Sequence, residues 1–188
     1  MTTTGLVIAG VGSNVDDGSG GQAWVNPDRI TADDGSNSTT NMASASTTQW
    51  LVSSSHDFSS IPDGATINGI TVRIQRWKQS DNFAFVDNIV QLTKNGTSVV
   101  GGNKASATPW TTTANENIDY GGSADLWGTT WTAAEVKAST FGLVLKGDKT
   151  SGGGGSSNTR VDAIWIGIDY TEPAAGGKRR KTLLGVGH

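Results

Sequence analysis

The chain has 188 residues, a formal net charge of −3 and no cysteine. This length suits one domain with its own hydrophobic core, and that domain can contain no disulfide. Glycine is abundant at 26 residues, and a composition rich in Thr, Val, Ile and Trp favours an all-β fold. No stretch reaches the ~18 apolar residues of a membrane-spanning helix, and the first residues lack a signal peptide, so we expect a soluble protein with no membrane partner.

The charge is concentrated at the C-terminus. Four of the 14 basic residues lie at 178–181, which leaves residues 1–177 with a net charge of −7. An acidic body does not suit nucleic acid, so we expect none to bind through the domain. Cations followed by an apolar anchor predict an arm that binds a partner, and a solvated end is the alternative. The predicted binding residues of the arm are Lys178, Arg179, Arg180, Lys181, Leu183 and Leu184.

The N-terminal third contains short strand signals separated by turns. Residues 6–10 predict a first strand and the glycine-rich segment after it a loop, so we assign residues 1–21 to an N-terminal strand or arm. Pro27 interrupts the next apolar segment, which is typical of an edge strand or a bend. Residues 39–45 and 49–53 predict two further short strands.

The middle of the chain has the clearest period of two. In residues 65–77, Ile70, Val72 and Ile74 fall on one face, and Gly69 predicts a bulge. Residues 83–93 predict the next strand. Asn95 and Gly96 then predict a type I′ turn into a short return strand, 99–100.

The last third begins with a polar strand at 110–118 and an aromatic stretch at 119–132. Thr132 and Glu135 form a capping-box pattern that predicts about two turns of helix. Core strands follow at 141–145 and 160–170, and the glycine-rich loop between them predicts that they pair as a hairpin.

Together these elements predict an all-β fold, a single antiparallel β-sandwich of about eight to ten strands, jelly-roll-like, with one short helical turn. The sandwich is expected over residues 22–171, followed by a linker and basic tail at 172–188. Both ends of the chain are expected to be flexible arms.

Residues suited to catalysis are few. His56 follows three serines and precedes Asp57, but a turn before Phe58 explains this segment more simply than a Ser-His-Asp triad. Asp119 and Asp125 could supply the two carboxylates of a glycosidase, although sandwich loops commonly use Asp to hold turns. We therefore expect no enzymatic activity.

Metal sites are also sparsely indicated. Zinc needs clusters of Cys and His, and the chain has two His and no Cys. The Asp-rich turns at 16–18 and 33–37 present oxygens that suit calcium, but neither has the full spacing of a known calcium loop. We expect no cofactor, with calcium as the weaker alternative.

The seven Trp allow two interpretations. Trp127 and Trp131 lie out of strand phase, which favours burial at one end of the sandwich. Trp77 and Trp165 fall on the polar faces of their strands, so we expect them to be exposed and able to stack on glycans.

An ordered series of motifs resembles a β-sandwich module found in structural proteins of tailed bacteriophages. The resemblance covers residues 22–171, and neither the glycine-rich start nor the basic tail belongs to it. Its motifs are Trp24-x-Asn26-Pro27, Asp33-Asp34-Gly35, Ile61-Pro62-x-Gly64-Ala65-x-Ile67-x-Gly69-Ile70-x-Val72-x-Ile74-x-Arg76, Tyr120-Gly121-Gly122, Asp125-Leu126-Trp127-Gly128-x-x-Trp131-Thr132-x-x-Glu135-Val136, Phe141-Gly142 and Val161-Asp162-x-Ile164-x-Ile166-x-Ile168-x-Tyr170.

The resemblance implies a non-enzymatic virion protein assembled in the cytoplasm of a host bacterium. A capsid decoration or head-associated protein is the first expectation: a homo-oligomer bound to the major capsid protein or other virion proteins, attached through its terminal arms. The alternative is a tail, neck or fibre protein whose sandwich binds host glycans for attachment.

Overall fold

The computed structural model describes residues 1–44, 46–152 and 158–174, which form two antiparallel sheets packed face to face. Its strands are β1 Thr2–Ile8, β2 Val11–Val15, β3 Ser38–Asn41, β4 Trp50–Ser54, β5 Thr66–Lys78, β6 Phe83–Thr93, β7 Val99–Val100, β8 Asn117–Gly122, β9 Gly142–Gly152 and β10 Asn158–Thr171. A 3₁₀ helix at Pro27–Ile30 and the short helix α1 at Ala133–Lys137 complete the fold.

Five strands form each sheet. The first sheet has the order β1-β10-β5-β8, and β3 also pairs with β10. The second sheet has the order β2-β4-β9-β6-β7. The predicted antiparallel β-sandwich is confirmed.

Strand β5 shows how the sequence pattern fixes the core. Ile70, Val72 and Ile74 are fully buried between the sheets, whereas Arg73 on the opposite face is partly exposed. Successive side chains of a strand point to opposite faces, so the alternating sequence gives one buried face. The predicted bulge is present, because the register with β10 shifts beside Gly69.

The N-terminal residues belong to the sandwich: of the strand or arm expected over residues 1–21 the structure shows strands, so the sandwich begins before residue 22. Strand β1 pairs with β10 at the edge of the first sheet, and β2 pairs with β4 at the edge of the second. Val7 packs against the core. An edge strand needs a partner on one side only, and its sequence pattern is correspondingly weak.

The predicted hairpin across the glycine-rich loop is also wrong. Strand β9 pairs with β4 and β6, whereas β10 pairs with β1, β3 and β5 in the other sheet. The two strands have neighbours on both sides, which uses their backbone hydrogen-bonding groups. Strands β9 and β10 therefore lie in different sheets, which pack about 10 Å apart.

Two local predictions need correction. The Asn95-Gly96 turn is not type I′, because Gly96 has a positive φ of 74° and Asn95 does not. Instead Asn95 Oδ1 accepts hydrogen bonds from the N–H groups of Thr97 and Ser98, which stabilises a longer loop before β7. Residues 110–116 precede β8 rather than forming part of it.

Aromatic side chains close one end of the sandwich, as predicted. Trp127 is fully buried and donates its indole N–H to Ile70 O at 2.9 Å. Trp131 is 6% exposed and packs edge-to-face against Phe141 at 5.2 Å. The capping box is present at the start of α1, which begins directly after this cluster.

Candidate functional site

One row of side chains crosses the outer face of the first sheet. Ile8 pairs with Trp165, Trp165 with Arg73, and Arg73 with Asp119, on strands β1, β10, β5 and β8. Because paired residues project to the same side of a sheet, these four side chains share the face that points away from the core. We call them the outer row. Trp165 is partly exposed within it.

The polar half of the outer row is a two-pronged ion pair. Arg73 Nε lies 2.7 Å from Asp119 Oδ1, and Nη2 lies 2.8 Å from Oδ2. The hydrogen bond from Arg73 lowers the pKa of the Asp119 carboxyl, so it is ionised at neutral pH. The two side chains are 37% and 50% exposed. An exposed pair stabilises a fold by only about 0–1 kcal/mol, so its main effect is to hold a planar set of donors and acceptors beside Trp165.

The next row of the same face contains two glycines. Leu6 pairs with Gly167, Gly167 with Thr71, and Thr71 with Gly121. The two glycines have no side chains: Gly121 is exposed, whereas Gly167 is buried, with the Gly5 carbonyl oxygen and the Leu6 side chain over the position of a Cβ. Leu6 itself is 39% exposed. The outer row and this second row together form the surface that we call the outer platform.

Trp165 and Trp77 were both expected to be exposed, and they differ in the structure. Trp165 is on the outer platform, in agreement with its predicted exposure. Trp77 is only 8% exposed, so the expected exposure of its ring is wrong. The chain at Thr111 and Glu116 is hydrogen-bonded to the β5 residues that flank Trp77. A period-two pattern identifies the outer face, but it does not show which positions are covered by a loop.

Sequence reasoning missed Trp50, which is partly exposed in β4 on the second sheet. Its indole nitrogen is buried and has no hydrogen-bond partner among the described residues. Its neighbour Leu51 faces the core, so the alternation of side chains along this short strand could have identified Trp50 as outward-facing.

The residues predicted for the C-terminal arm, Lys178, Arg179, Arg180, Lys181, Leu183 and Leu184, lie outside the described residues.

The two catalytic candidates are held by structural contacts. His56 is 4% exposed, with Nδ1 2.9 Å from Val7 O and Nε2 3.2 Å from the hydroxyl of the fully buried Ser53. Burial lowers the pKa of His56 to about 4, so the ring is neutral and inaccessible. Asp119 pairs with Arg73, while Asp125 pairs with Lys104 at 2.6 Å. Each carboxylate therefore forms an ion pair with a different cation.

The first Asp-rich turn is used by an ion pair. Asp17 Oδ2 lies 2.6 Å from Lys146 Nζ, and Ser19 Oγ accepts a second hydrogen bond from the same ammonium at 2.8 Å. Burial alone would raise the pKa of Asp17, but the hydrogen bonds from Lys146 and Ser19 lower it to about 2. A lysine therefore occupies the position that the sequence offered to calcium.

A groove of about 490 Å³ lies at the aromatic end of the sandwich. It is lined by Asp63, Gly64, Ala65, Thr66, Trp131, Thr132, Ala133 and Ala134. Trp131 packs on Phe141, and the Lys94 ammonium lies 5.1 Å from the centre of the Trp131 ring. Little of the ring is left for a ligand, so the outer platform is the better candidate.

Comparison with known proteins gives one weak likeness. No family model and no curated protein matches the sequence. A solved structure titled "CBM4 structure and function" matches with a TM-score of 0.36 and 15% sequence identity, over 89% of this chain and 95% of that chain. At these values the likeness carries no argument about function. In the described part of the chain, no helix is long and apolar enough to cross a membrane.

Proposed function

We propose that this chain is a non-enzymatic binding module that holds a carbohydrate on the outer platform. The observation that supports this most directly is the register that places Trp165 beside the Arg73–Asp119 pair. A partly exposed aromatic side chain and a polar clamp lie next to each other on the outer face of the first sheet.

The chemistry of the outer platform fits a sugar on both of its surfaces. A pyranose has an apolar face of C–H groups, which packs on an aromatic ring such as that of Trp165. Its edge carries hydroxyl groups that both donate and accept hydrogen bonds. The Asp119 carboxylate accepts hydrogen bonds and the Arg73 guanidinium donates them, so the pair can bind two adjacent hydroxyls.

The shape of the outer platform favours an extended glycan over a small buried ligand. Sites for small molecules are usually concave and enclose most of the ligand. Here the exposed Gly121 and the partly exposed Thr71 leave a surface without large side chains beside the Arg73–Asp119 pair, and Leu6 borders it over the buried Gly167. A polysaccharide chain can lie across such a surface without a terminal residue having to enter a pocket.

The test is a glycan array followed by calorimetry with the best ligand, using Trp165→Ala and Trp50→Ala. We expect Trp165→Ala to weaken binding at least about tenfold, equivalent to ~1.4 kcal/mol. Trp50→Ala, on the other sheet, removes a Trp of similar exposure and should bind as the parent does. An array without ligands, or equal binding by both variants, would overturn the proposal.

Where such a module would act is proposed from the sequence resemblance. A tail, neck or fibre protein of a tailed bacteriophage, attaching to host surface glycans, combines that resemblance with the outer platform. A capsid decoration protein attached through its tail is the second proposal, supported by the basic-apolar pattern of residues 178–184. Antibody labelling of intact particles distinguishes them: copies over the whole shell favour decoration, and copies confined to the tail favour attachment.

A further inference from the structure

The second Asp-rich turn, residues 33–37, lies against the bulge of β10. Asp162 is the extra residue of that bulge and is fully buried. The N–H of Gly35 donates to Asp162 Oδ2 at 3.1 Å. The side-chain amide of Gln75, oriented to donate, lies 2.8 Å from the same oxygen and 3.2 Å from Asp33 Oδ1. The turn therefore brings two carboxylates, Asp33 and Asp162, to one buried amide.

Two oxygens beside this contact have no donor. Asp162 Oδ1 and Asn37 Oδ1 are both buried and lack a hydrogen-bond partner among the described residues. Asn37 is 8% exposed. Since Ser38 pairs with Val161, Asn37 stands next to Asp162 across the two strands. Buried acceptors without partners are costly and uncommon, and two on adjacent residues point to a missing positive partner.

The charges around the turn point in the same direction. Burial raises the pKa of Asp162, and the charges of Asp33 and Asp34 raise it further, while the backbone N–H groups of Gly35 and Asp34 oppose this. Among the described residues, no salt bridge joins a Lys or Arg to any of these three carboxylates. In contrast, Asp17 in the first Asp-rich turn has Lys146.

We propose that the turn binds a calcium ion through Asp162 Oδ1, Asn37 Oδ1 and the carboxylate of Asp33. All three donors are oxygens, which suits a hard cation and not a soft one. Calcium accepts irregular sets of six to eight oxygens, with water completing the shell, whereas Mg²⁺ requires a near-ideal octahedron. No group of three or more His, Cys, Asp or Glu is arranged for a metal in the described residues. The proposed site is of another kind, because it combines two carboxylates with the oxygen of an amide.

The site would have a structural consequence for the outer platform. Gln75 lies two residues after Arg73 on β5, so the turn borders the outer row on the same face of the first sheet. A cation that holds this turn in place would also hold the adjacent side of the outer row in place. Calcium binding is nevertheless independent of the glycan proposal, because its effect is measured on the free protein.

Thermal unfolding with excess CaCl₂, MgCl₂ or EGTA tests the site, together with terbium luminescence excited through Trp. We expect calcium alone to raise the melting temperature and to displace terbium. Asp162→Asn and Asn37→Ala should lose both effects, whereas Asp16→Asn, in the other Asp-rich turn, should keep them.

If Asp162→Asn does not fold, the Asn37→Ala variant and the terbium titration of the parent chain still decide the question. A parent chain whose melting temperature is the same in calcium and EGTA, and which gives no terbium signal, would overturn the site. Equal responses to calcium and magnesium would also overturn it, as they would indicate a general ionic effect.

Discussion

The hydroxyl of Tyr120 donates a 2.8 Å hydrogen bond to Asp87 Oδ2, and this bond joins the two sheets through the core. Tyr120 lies on β8 of the first sheet and Asp87 on β6 of the second. Burial and the neighbouring Asp87 charge raise the pKa of Tyr120, so the phenol stays protonated and can donate.

Asp87 collects further donors at the same point. Trp110 Nε1 lies 2.8 Å from Asp87 Oδ1, and the Ser106 N–H lies 3.1 Å from Oδ2. Arg76 reaches both Asp87, at 3.4 Å, and the hydroxyl of Tyr120, at 3.1 Å. A carboxylate that accepts four hydrogen bonds and a guanidinium that donates two are thus buried together, and such hydrogen bonding allows a charged pair to be tolerated in a core.

Replacing Asp87 by Ala should destabilise the fold by about 3–5 kcal/mol, because the Arg76 charge remains buried without its partner. Tyr120→Phe removes two hydrogen bonds, one donated to Asp87 and one accepted from Arg76, and should cost about 1–3 kcal/mol. Asp119→Asn breaks an exposed ion pair instead and should change stability by at most ~1 kcal/mol. Urea unfolding of the three variants measures this order, and a Tyr120→Phe loss as large as that of Asp87→Ala would contradict it.

The sequence predicted the sandwich because its strands alternate, as Ile70, Val72 and Ile74 do on β5. It could not predict this polar cluster, because Arg76 and Asp87 each occupy a core position that the pattern reserves for apolar side chains. The sequence also placed Trp110 in a strand, because nothing nearby in the sequence shows that its hydrogen-bond partner is a carboxylate 23 residues away. Such pairings depend on how the two sheets stack.

His56 should make stability depend on pH. Its pKa is about 4 in the folded protein, against 6.5 for an unperturbed histidine side chain, so the unfolded chain binds the proton more readily. The stability that His56 supports is complete above about pH 6.5 and declines as the pH falls towards 4. Between pH 7 and 5 the expected loss is about 2 kcal/mol.

Urea midpoints at pH 7, 6 and 5 measure this effect, with His56→Asn as the control. The variant has no group that titrates in this range at position 56, so its stability should change less between these pH values. An equally steep decline in the variant would assign the pH dependence to other groups.

Gly142 should tolerate no side chain. A Cβ at this position would overlap the carbonyl oxygen of Ser53, where β9 meets β4. Gly142→Ala therefore forces the strands apart and should cost at least about 1–3 kcal/mol, the usual range for overpacking. Gly122→Ala is the matched control, since a Cβ there meets nothing within 4 Å. Thermal melts of the two variants should differ clearly, and similar melting temperatures would contradict the close approach.

Only part of the outer platform could be predicted from the sequence. Trp165 was identified because its strand alternates without interruption. Arg73 and Asp119 are 46 residues apart, and their pairing depends on the register between β5 and β8. The same limit applies to the buried contact between Gln75 and Asp162, which needs the bulge in β10. The local sequence shows which face of a strand each residue occupies, but it does not show the register between strands that are distant in sequence.

Thr132 should stabilise the short helix α1 through its side chain. Its hydroxyl accepts the N–H of Glu135 at 3.2 Å, and the Glu135 carboxylate accepts the N–H of Thr132 at 2.9 Å. Thr132→Ala leaves the Glu135 N–H without its acceptor and should cost about 1 kcal/mol. Thr132→Ser keeps the hydroxyl and should retain most of the stability. Because α1 begins next to the buried Trp131, global urea unfolding followed by Trp fluorescence should register the loss, and equal midpoints for the Ala and Ser variants would show that the cap does not contribute.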